Sequence, residues 1–110
     1  MLEQEGKLLR IFIGEDDRHE GLPLYEWLVR QAHRRGLAGA TVLRGSQGYG
    51  VRNQLHTARV LRLSVDLPVV VEIVDTRDKI EAFLPLIDAV LMGGAVVVQD
   101  ARVRLYGPQT

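Results

Sequence analysis

The stretch LPVVVEIVD at residues 67–75 decides the fold prediction. Its run of β-branched residues is typical of a buried strand. Because successive side chains of a strand point to opposite faces of the sheet, this segment presents one set of side chains to each face. One set is Val69, Val71 and Ile73, and the other is Val70, Glu72 and Val74. Both sets are largely apolar, so a sheet built on this strand needs a cover on each of its two faces.

Hydrophobic patterns predict the other elements outward from this strand, in the order β-α-β-β-α-β. Strands are predicted at residues 8–13 and 37–45, and an exposed hairpin arm at 57–63. The final segment, 95–106, predicts one strand, or two strands separated by a bulge at Asp100. The first helical stripe contains Tyr25, Leu28, Val29 and Ala32, and the second contains Ile80, Phe83, Leu84, Ile87, Val90 and Leu91.

Local signals predict where the helices begin and end. Pro23 suits the first turn of the first helix, and Gly36 is expected to stop it. Asp75 is predicted to cap the second helix, with Asp78 at the favoured acidic position three residues later. Pro85 falls inside the second stripe and is expected to kink that helix.

This order of elements predicts an α+β, ferredoxin-like βαββαβ fold, in which a four-stranded antiparallel sheet carries two helices on one face. We expect a single domain over residues 1–110, with residues 1–6 disordered. Two helices cover only one face of the sheet. The apolar second face therefore predicts an oligomer.

Composition and charge exclude several classes of function. The 110-residue chain has a formal net charge of zero, which argues against a nucleic-acid partner. It has no cysteine, so disulfides, thiol catalysis and zinc–thiolate sites are excluded. No apolar run approaches the ~20 residues that cross a bilayer, and the acidic start of the chain does not look like a signal peptide, so we expect a cytoplasmic protein. No Ser-His-Asp or paired-carboxylate arrangement is visible, which predicts that the chain is not an enzyme.

Glycines are concentrated in GSQGYG at residues 45–50, between Arg44 and Arg52. The order of these glycines differs from the dinucleotide fingerprint, and no P-loop Lys-Ser/Thr follows them. Glycine nevertheless allows backbone N–H groups to converge on an anion. Two interpretations stay open here: a mobile hairpin between strands, or an anion-binding loop.

The last predicted strand places Arg102, Arg104 and Tyr106 on one face. Two arginines spaced about 7 Å apart on one face of a strand can clamp a phosphate or a carboxylate. The alternative is an edge strand whose charges prevent aggregation.

An acidic cluster precedes the first helix and contains Glu15, Asp16, Asp17, His19 and Glu20. These side chains could ligate a cation. The competing interpretation is a solvated loop whose acids favour the adjacent helix N-terminus. His56, which follows the glycine loop, is a further candidate ligand.

Several longer segments together resemble a known family. The stretches LLRIFIGEDDRHEGLPLYEWLVRQAHRRGLAGATVLRG (8–45) and LHTARVLRLSVDLPVVVEIVD (55–75) look like the DUF190 family, a PII-like group within the PII signal-transduction superfamily. The resemblance covers about residues 7–106. It implies a ferredoxin-like homotrimer with its sheets packed inward, and nucleotides bound in clefts between subunits. It also implies that residues 45–57 form the PII T-loop, the mobile hairpin that contacts partners.

The resemblance also implies a set of ligand-binding residues. They come from the second strand, the T-loop base, the third strand, the loop before the last strand, and the last strand itself. They are Thr41, Gly48, Tyr49, Gly50, Arg52, Glu72, Gly93, Gly94, Arg102 and Arg104. Ala95 stands where PII proteins have a lysine, so one phosphate-binding cation is absent from this position.

Together these observations predict a PII-like trimeric signalling protein that binds a small anionic ligand, an adenine nucleotide. Its mobile loop is expected to dock a membrane transporter or an enzyme. No metal is assigned to this site. The alternatives are a metal-responsive trimer resembling the CutA1-type copper-tolerance proteins, with ligands from the acidic loop or His56, and a scaffold that binds no small molecule.

Overall fold

A computed structural model describes residues 2–48, 56–57 and 66–107. Along the chain the elements are β1 (Leu2–Gly14), β2 (Arg18–His19), β3 (Leu22–Pro23), α1 (Leu24–Arg34), β4 (Ala40–Arg44), β5 (Gln47–Gly48), β6 (His56–Thr57), β7 (Pro68–Thr76), α2 (Arg77–Val90) and β8 (Ala95–Leu105). The main sheet has the order β4-β7-β1-β8, and each of its neighbouring pairs is antiparallel. This architecture confirms the predicted ferredoxin-like α+β fold.

The core lies between the two helices and one face of the sheet. The sheet contributes Leu9, Ile11 and Ile13 from β1 and Val69, Val71 and Ile73 from β7, and the helices contribute Leu24, Trp27, Leu28, Ala32, Ile80, Phe83 and Ile87. Each large aliphatic or aromatic side chain buried in this way contributes about 1.5–3 kcal/mol of hydrophobic stabilisation. Trp27, which lies outside the predicted stripe of α1, is only 8% exposed.

The opposite face of the sheet carries no helix, and we call it the open face. Strand register places on it Thr41 and Leu43 of β4, Val70, Glu72 and Val74 of β7, Leu8, Arg10 and Phe12 of β1, and Ala95, Val97 and Gln99 of β8. Phe12 is 39% exposed, Val97 40% and Leu43 49%. The sequence prediction of a sheet that is apolar on both faces is therefore confirmed for these strands.

Residues 2–6 belong to β1, which differs from the disorder expected for residues 1–6. The reason is charge complementarity with β8: Glu3 lies opposite Arg104, and Glu5 lies opposite Arg102. Opposite charges in cross-strand pairs each stabilise a sheet by roughly 0.2–1 kcal/mol. The ladder continues without interruption past Asp100, so β8 is one strand and the alternative with a bulge is wrong.

Asp75 does not cap α2, contrary to the sequence prediction. The N-cap is Thr76, whose side chain accepts a hydrogen bond from the backbone N–H of Lys79. The Asp75 carboxylate is 4% exposed and accepts from the N–H of Ala38 at 2.7 Å and of Thr76 at 2.6 Å. It thereby ties the end of β7 to the connection between α1 and β4, a long-range role that local cap patterns do not reveal.

The remaining boundaries differ by a few residues from the sequence prediction. Helix α1 begins directly after Pro23, and Gly36 follows its end with a φ of 74° that favours glycine. Helix α2 continues through the exposed Pro85 as far as Val90. Neither helix among the described residues has the length and apolarity needed to cross a membrane.

Candidate functional site

The first residues of the predicted glycine hairpin, 45–48, lie against the start of β7. The N–H of Gly45 donates to the carbonyl of Pro68 at 2.7 Å, and a Cβ on Gly45 would lie 2.7 Å from the Cγ of Pro68. Strands β5 and β6 close the hairpin, with Gly48 opposite His56. Glycine is therefore required at position 45 by close packing. The candidate residues Tyr49, Gly50 and Arg52 lie outside the described residues.

The second glycine loop, between α2 and β8, reaches the same end of the sheet. Gly94 has a φ of 94°, and a Cβ there would run into the carbonyl oxygen of Phe12. Gly93 has open space around its Cα. Because β4 ends where β7 and β8 begin, the hairpin base and the Gly93–Gly94 loop share one end of the sheet. Gly45 and Gly94 thus serve close packing within the chain, whereas the open space at Gly93 is where a backbone N–H could meet an anion.

Arg44, directly before the hairpin, turns toward the helix layer. Its Nε lies 2.7 Å from a carboxylate oxygen of Glu15, and its Nη2 donates to the hydroxyl of Tyr25 at 2.9 Å. The guanidinium also lies 5.5 Å from the centre of the Tyr25 ring, within cation–π range. Arg44 therefore anchors the hairpin base to the acidic loop and α1.

The acidic loop before α1 uses its side chains for local structure. Asp17 accepts from the N–H of Gly14 at 3.0 Å, and Glu20 accepts from the indole N–H of Trp27 at 3.2 Å. His19 stacks edge-on against the same ring at 4.4 Å between ring centres. Within the described residues, no three His, Asp or Glu side chains are grouped so as to hold a metal ion. The side chain of His56 lies outside them.

Thr41 and Glu72 face each other on the open face of the sheet. The Glu72 carboxylate is committed to Arg10, whose Nε donates to its Oε2 at 2.8 Å. Arg10 also donates through Nη1 to Gln99 on β8. Sequence reasoning placed Glu72 beside the ligand and missed Arg10. The alternation in LLRIFI, which puts Arg10 on the same face as Phe12, was the available signal.

The two candidate arginines lie at the other end of β8. Arg102 and Arg104 share the carboxylate of Glu3, with Nε–O distances of 3.6 Å and 3.4 Å. Their side chains are 78% and 52% exposed. From the start of β8 to Arg102 the strand rises about 23 Å at ~3.3 Å per residue. One copy of the chain therefore keeps these arginines well away from both glycine loops.

A cleft of about 560 Å³ lies beside this arginine end, lined by Glu5, Gly6, Lys7, Arg77, Asp100, Ala101 and Arg102. Its cations are already partnered. Lys7 pairs with Asp100 and, through that hydrogen bond, lowers the pKa of the Asp100 carboxyl. Glu81 accepts from Arg77 at 3.1 Å and raises the pKa of its guanidinium. The cleft is thus a nearly neutral charge network within one copy.

Comparison with solved structures identifies the fold. CPII from Thiomonas intermedia K12, a nitrogen regulatory PII-like protein solved with ADP, AMP and bicarbonate, is similar with a TM-score of 0.61. The alignment covers 93% of this chain and 91% of that one, at 20% identity. A Thermus thermophilus protein described as a PII-like signalling protein is similar with a TM-score of 0.60, at 18% identity over 94% and 91% of the two chains. The fold is therefore PII-like.

Sequence comparison then gives the family. Residues 6–103 match the sequence model of DUF190, described as "Uncharacterized ACR", and the chain belongs to this family. A UPF0166 protein of Aquifex aeolicus is 43% identical over 97 residues, which are 88% of this chain and 91% of the relative. A UPF0166 protein of Methanocaldococcus jannaschii is 37% identical over 100 residues, covering 90% and 92% of the two chains. The family resemblance seen in the sequence is confirmed.

Proposed function

We propose that this chain is a PII-like, non-catalytic regulator that assembles as a homotrimer and binds an adenine nucleotide between adjacent copies. The observation that carries the proposal is the separation of about 23 Å between the glycine loops and the arginine pair within one chain. These two half-sites can meet on one ligand when they come from different copies. The complex of the similar CPII with ADP, AMP and bicarbonate supports this choice of ligand class.

The arginine end can exchange its exposed ion pairs for an anionic ligand. Arg102 and Arg104 lie 3.6 Å and 3.4 Å from the carboxylate of Glu3, and Glu5 lies opposite Arg102 on β1. Exposed ion pairs of this kind contribute only about 0–1 kcal/mol each. Phosphate oxygens can therefore replace Glu3 at little cost and form bidentate contacts with the guanidinium groups.

The glycine end supplies backbone donors instead of a lysine. Ala95 provides no cation, but Gly93 has open space around it, so a phosphate could approach the backbone of this loop. In this proposal Tyr49, Gly50 and Arg52 complete the same wall. Binding there would fix the conformation of residues 45–57 and alter how they dock onto a partner, such as a membrane transporter or an enzyme. Thr41 and Glu72 border the pocket from the open face.

Isothermal titration calorimetry with ADP, AMP, ATP and bicarbonate tests this proposal. We expect an adenine nucleotide to bind the wild-type oligomer, and Arg102→Ala/Arg104→Ala to weaken binding at least about tenfold through loss of charged hydrogen bonds. Arg30→Ala is the matched control, because Arg30 is also an exposed arginine in an ion pair, with Glu26 at 3.0 Å. An oligomer that binds no nucleotide, or equal affinities for all variants, contradicts the proposal.

A further inference from the structure

The acidic loop before α1 contacts the rest of the chain at two places that are distant from each other in sequence. The first is Arg44, where β4 ends, and the second is Asp66–Leu67, directly before β7. We call these two places the loop roots, because residues 45–65 connect them. Both ends of that connection are therefore held by one short segment of the chain.

Glu15 contacts both loop roots at once. Its carboxylate lies 2.7 Å from Nε of Arg44, and its backbone N–H donates to the carbonyl of Leu67 at 2.8 Å. The neighbouring N–H of Asp16 donates to the carboxylate of Asp66, also at 2.8 Å. The returning root is thus held through the backbone of the acidic loop, whereas the outgoing root is held by an ion pair that a single substitution can remove.

Arg44 lies on the helix side of the sheet. Alternation along β4 places it on the face opposite to Thr41, which belongs to the open face and to the candidate ligand residues. Its Nη2 donates to the hydroxyl of Tyr25 at 2.9 Å, which fixes the direction of the guanidinium. The next residue, Gly45, donates its N–H to the carbonyl of Pro68 and begins the glycine hairpin. A contact that orients Arg44 therefore also fixes the start of the hairpin without occupying the ligand site.

We propose that the Glu15–Arg44 ion pair positions residues 45–48 for ligand binding, so that the affinity of the site depends on two residues that lie outside it. This inference rests on the proposed function and adds positioning residues to its site. A ligand that selects one conformation of residues 45–48 binds more weakly when that conformation is populated for only part of the time. Because the side chains of Arg44 and Glu15 are 58% and 29% exposed, loss of their ion pair costs the folded chain little stability. The expected signature is therefore a lower affinity in a protein of unchanged stability.

Calorimetry with ADP, AMP and ATP on the full chain tests the inference. Arg44→Gln is expected to weaken nucleotide binding about five- to tenfold, because the ion pair and the hydrogen bond to Tyr25 together bias the hairpin base by that factor. Glu15→Arg faces Arg44 with a like charge and should weaken binding at least as much. The exchanged variant Glu15→Arg/Arg44→Glu restores an ion pair and is expected to bind within about twofold of the wild type.

Arg30→Gln is the matched control for these variants. Arg30 is also an exposed arginine in an ion pair, with Glu26 at 3.0 Å, but this pair joins two turns of α1 instead of reaching a loop root. Arg30→Gln should therefore bind nucleotide with the wild-type affinity. Both Arg44→Gln and Arg30→Gln should keep the wild-type urea midpoint and the wild-type mass in light scattering coupled to gel filtration.

Three results would overturn the inference. The first is an exchanged variant that folds but binds as weakly as Glu15→Arg. The second is a loss of affinity in Arg44→Gln that comes with a large fall of its urea midpoint, since that shows a general structural role. The third, which needs only the mild variant if Glu15→Arg does not fold, is equal affinity of Arg44→Gln and the wild type; only this inference then fails. A wild type that binds no adenine nucleotide refutes the proposed function as well.

Discussion

Replacement of Asp75 by alanine is expected to destabilise the fold by about 3 kcal/mol. The carboxylate is buried and accepts two backbone hydrogen bonds, from Ala38 at 2.7 Å and Thr76 at 2.6 Å. Hydrogen bonds to a charged group contribute about 1.5–3 kcal/mol each, and alanine leaves both N–H donors without a partner. At about 4 °C per kcal/mol for a domain of this size, the melting temperature should fall by about 12 °C.

Urea unfolding at a fixed protein concentration measures this effect, since oligomer stability depends on concentration. Asp75→Asn keeps one carbonyl acceptor and should lose about half as much stability as Asp75→Ala. Asp88→Ala is the control: Asp88 is exposed on α2, and its removal should change the free energy of unfolding by less than about 0.5 kcal/mol. A loss below about 1 kcal/mol for Asp75→Ala would refute the reasoning that these two bonds hold the α1–β4 connection.

Two further substitutions have matched controls. Gly94→Ala should destabilise the chain by about 1–3 kcal/mol in urea unfolding, because Gly94 has a φ of 94° and the new Cβ would meet the carbonyl of Phe12. Gly93→Ala is the control, and it should change the free energy of unfolding very little because Gly93 has open space around it. If Gly94→Ala leaves the free energy of unfolding unchanged, the left-handed backbone conformation assigned to Gly94 is wrong. Lys7→Met should raise the pKa of Asp100 toward its ordinary value in a carboxyl NMR titration, while Lys79→Met should leave it unchanged. The sign follows from the lowered pKa of the folded state: the Lys7–Asp100 contribution is present above the unfolded pKa and is lost as pH falls through the folded value. An Asp100 titration unchanged by Lys7→Met would show that this hydrogen bond is not the cause.

The sequence predicted the fold well because its signals there are periodic and local. Alternation in residues 67–75 and the spacing of Leu28 and Ala32 each follow from one element. The ends of elements depend on distant residues and were less accurate. The start of β1 at Leu2 is stabilised by charges on β8, and the role of Asp75 comes from a contact with Ala38.

The candidate site was harder to predict for the same reason. Family resemblance gave Gly48 and Gly94, which the structure brings to one end of the sheet. It also gave Arg102, which lies at the opposite end in one copy. The distance between these glycines and Arg102 is set by the strand order and register of the folded sheet, which the local sequence does not reveal. The partner of Glu72 is Arg10, 62 positions earlier in the chain, and no local pattern joins the two.

The most direct test of the central claim is complementation between two variants that each lack half of the site. Arg102→Ala/Arg104→Ala removes the arginine end, and Arg52→Ala alters the hairpin end. Each variant alone is expected to bind ADP weakly in calorimetry.

When the two variants are mixed in equal amounts and their subunits exchange, some interfaces combine the intact half of each variant. In a cyclic oligomer with head-to-tail interfaces, these intact sites should make up about one quarter of the total. Recovery of tight ADP binding at that stoichiometry is the predicted result. No recovery in mixtures shown by native mass spectrometry to contain both variants would contradict a site formed between copies.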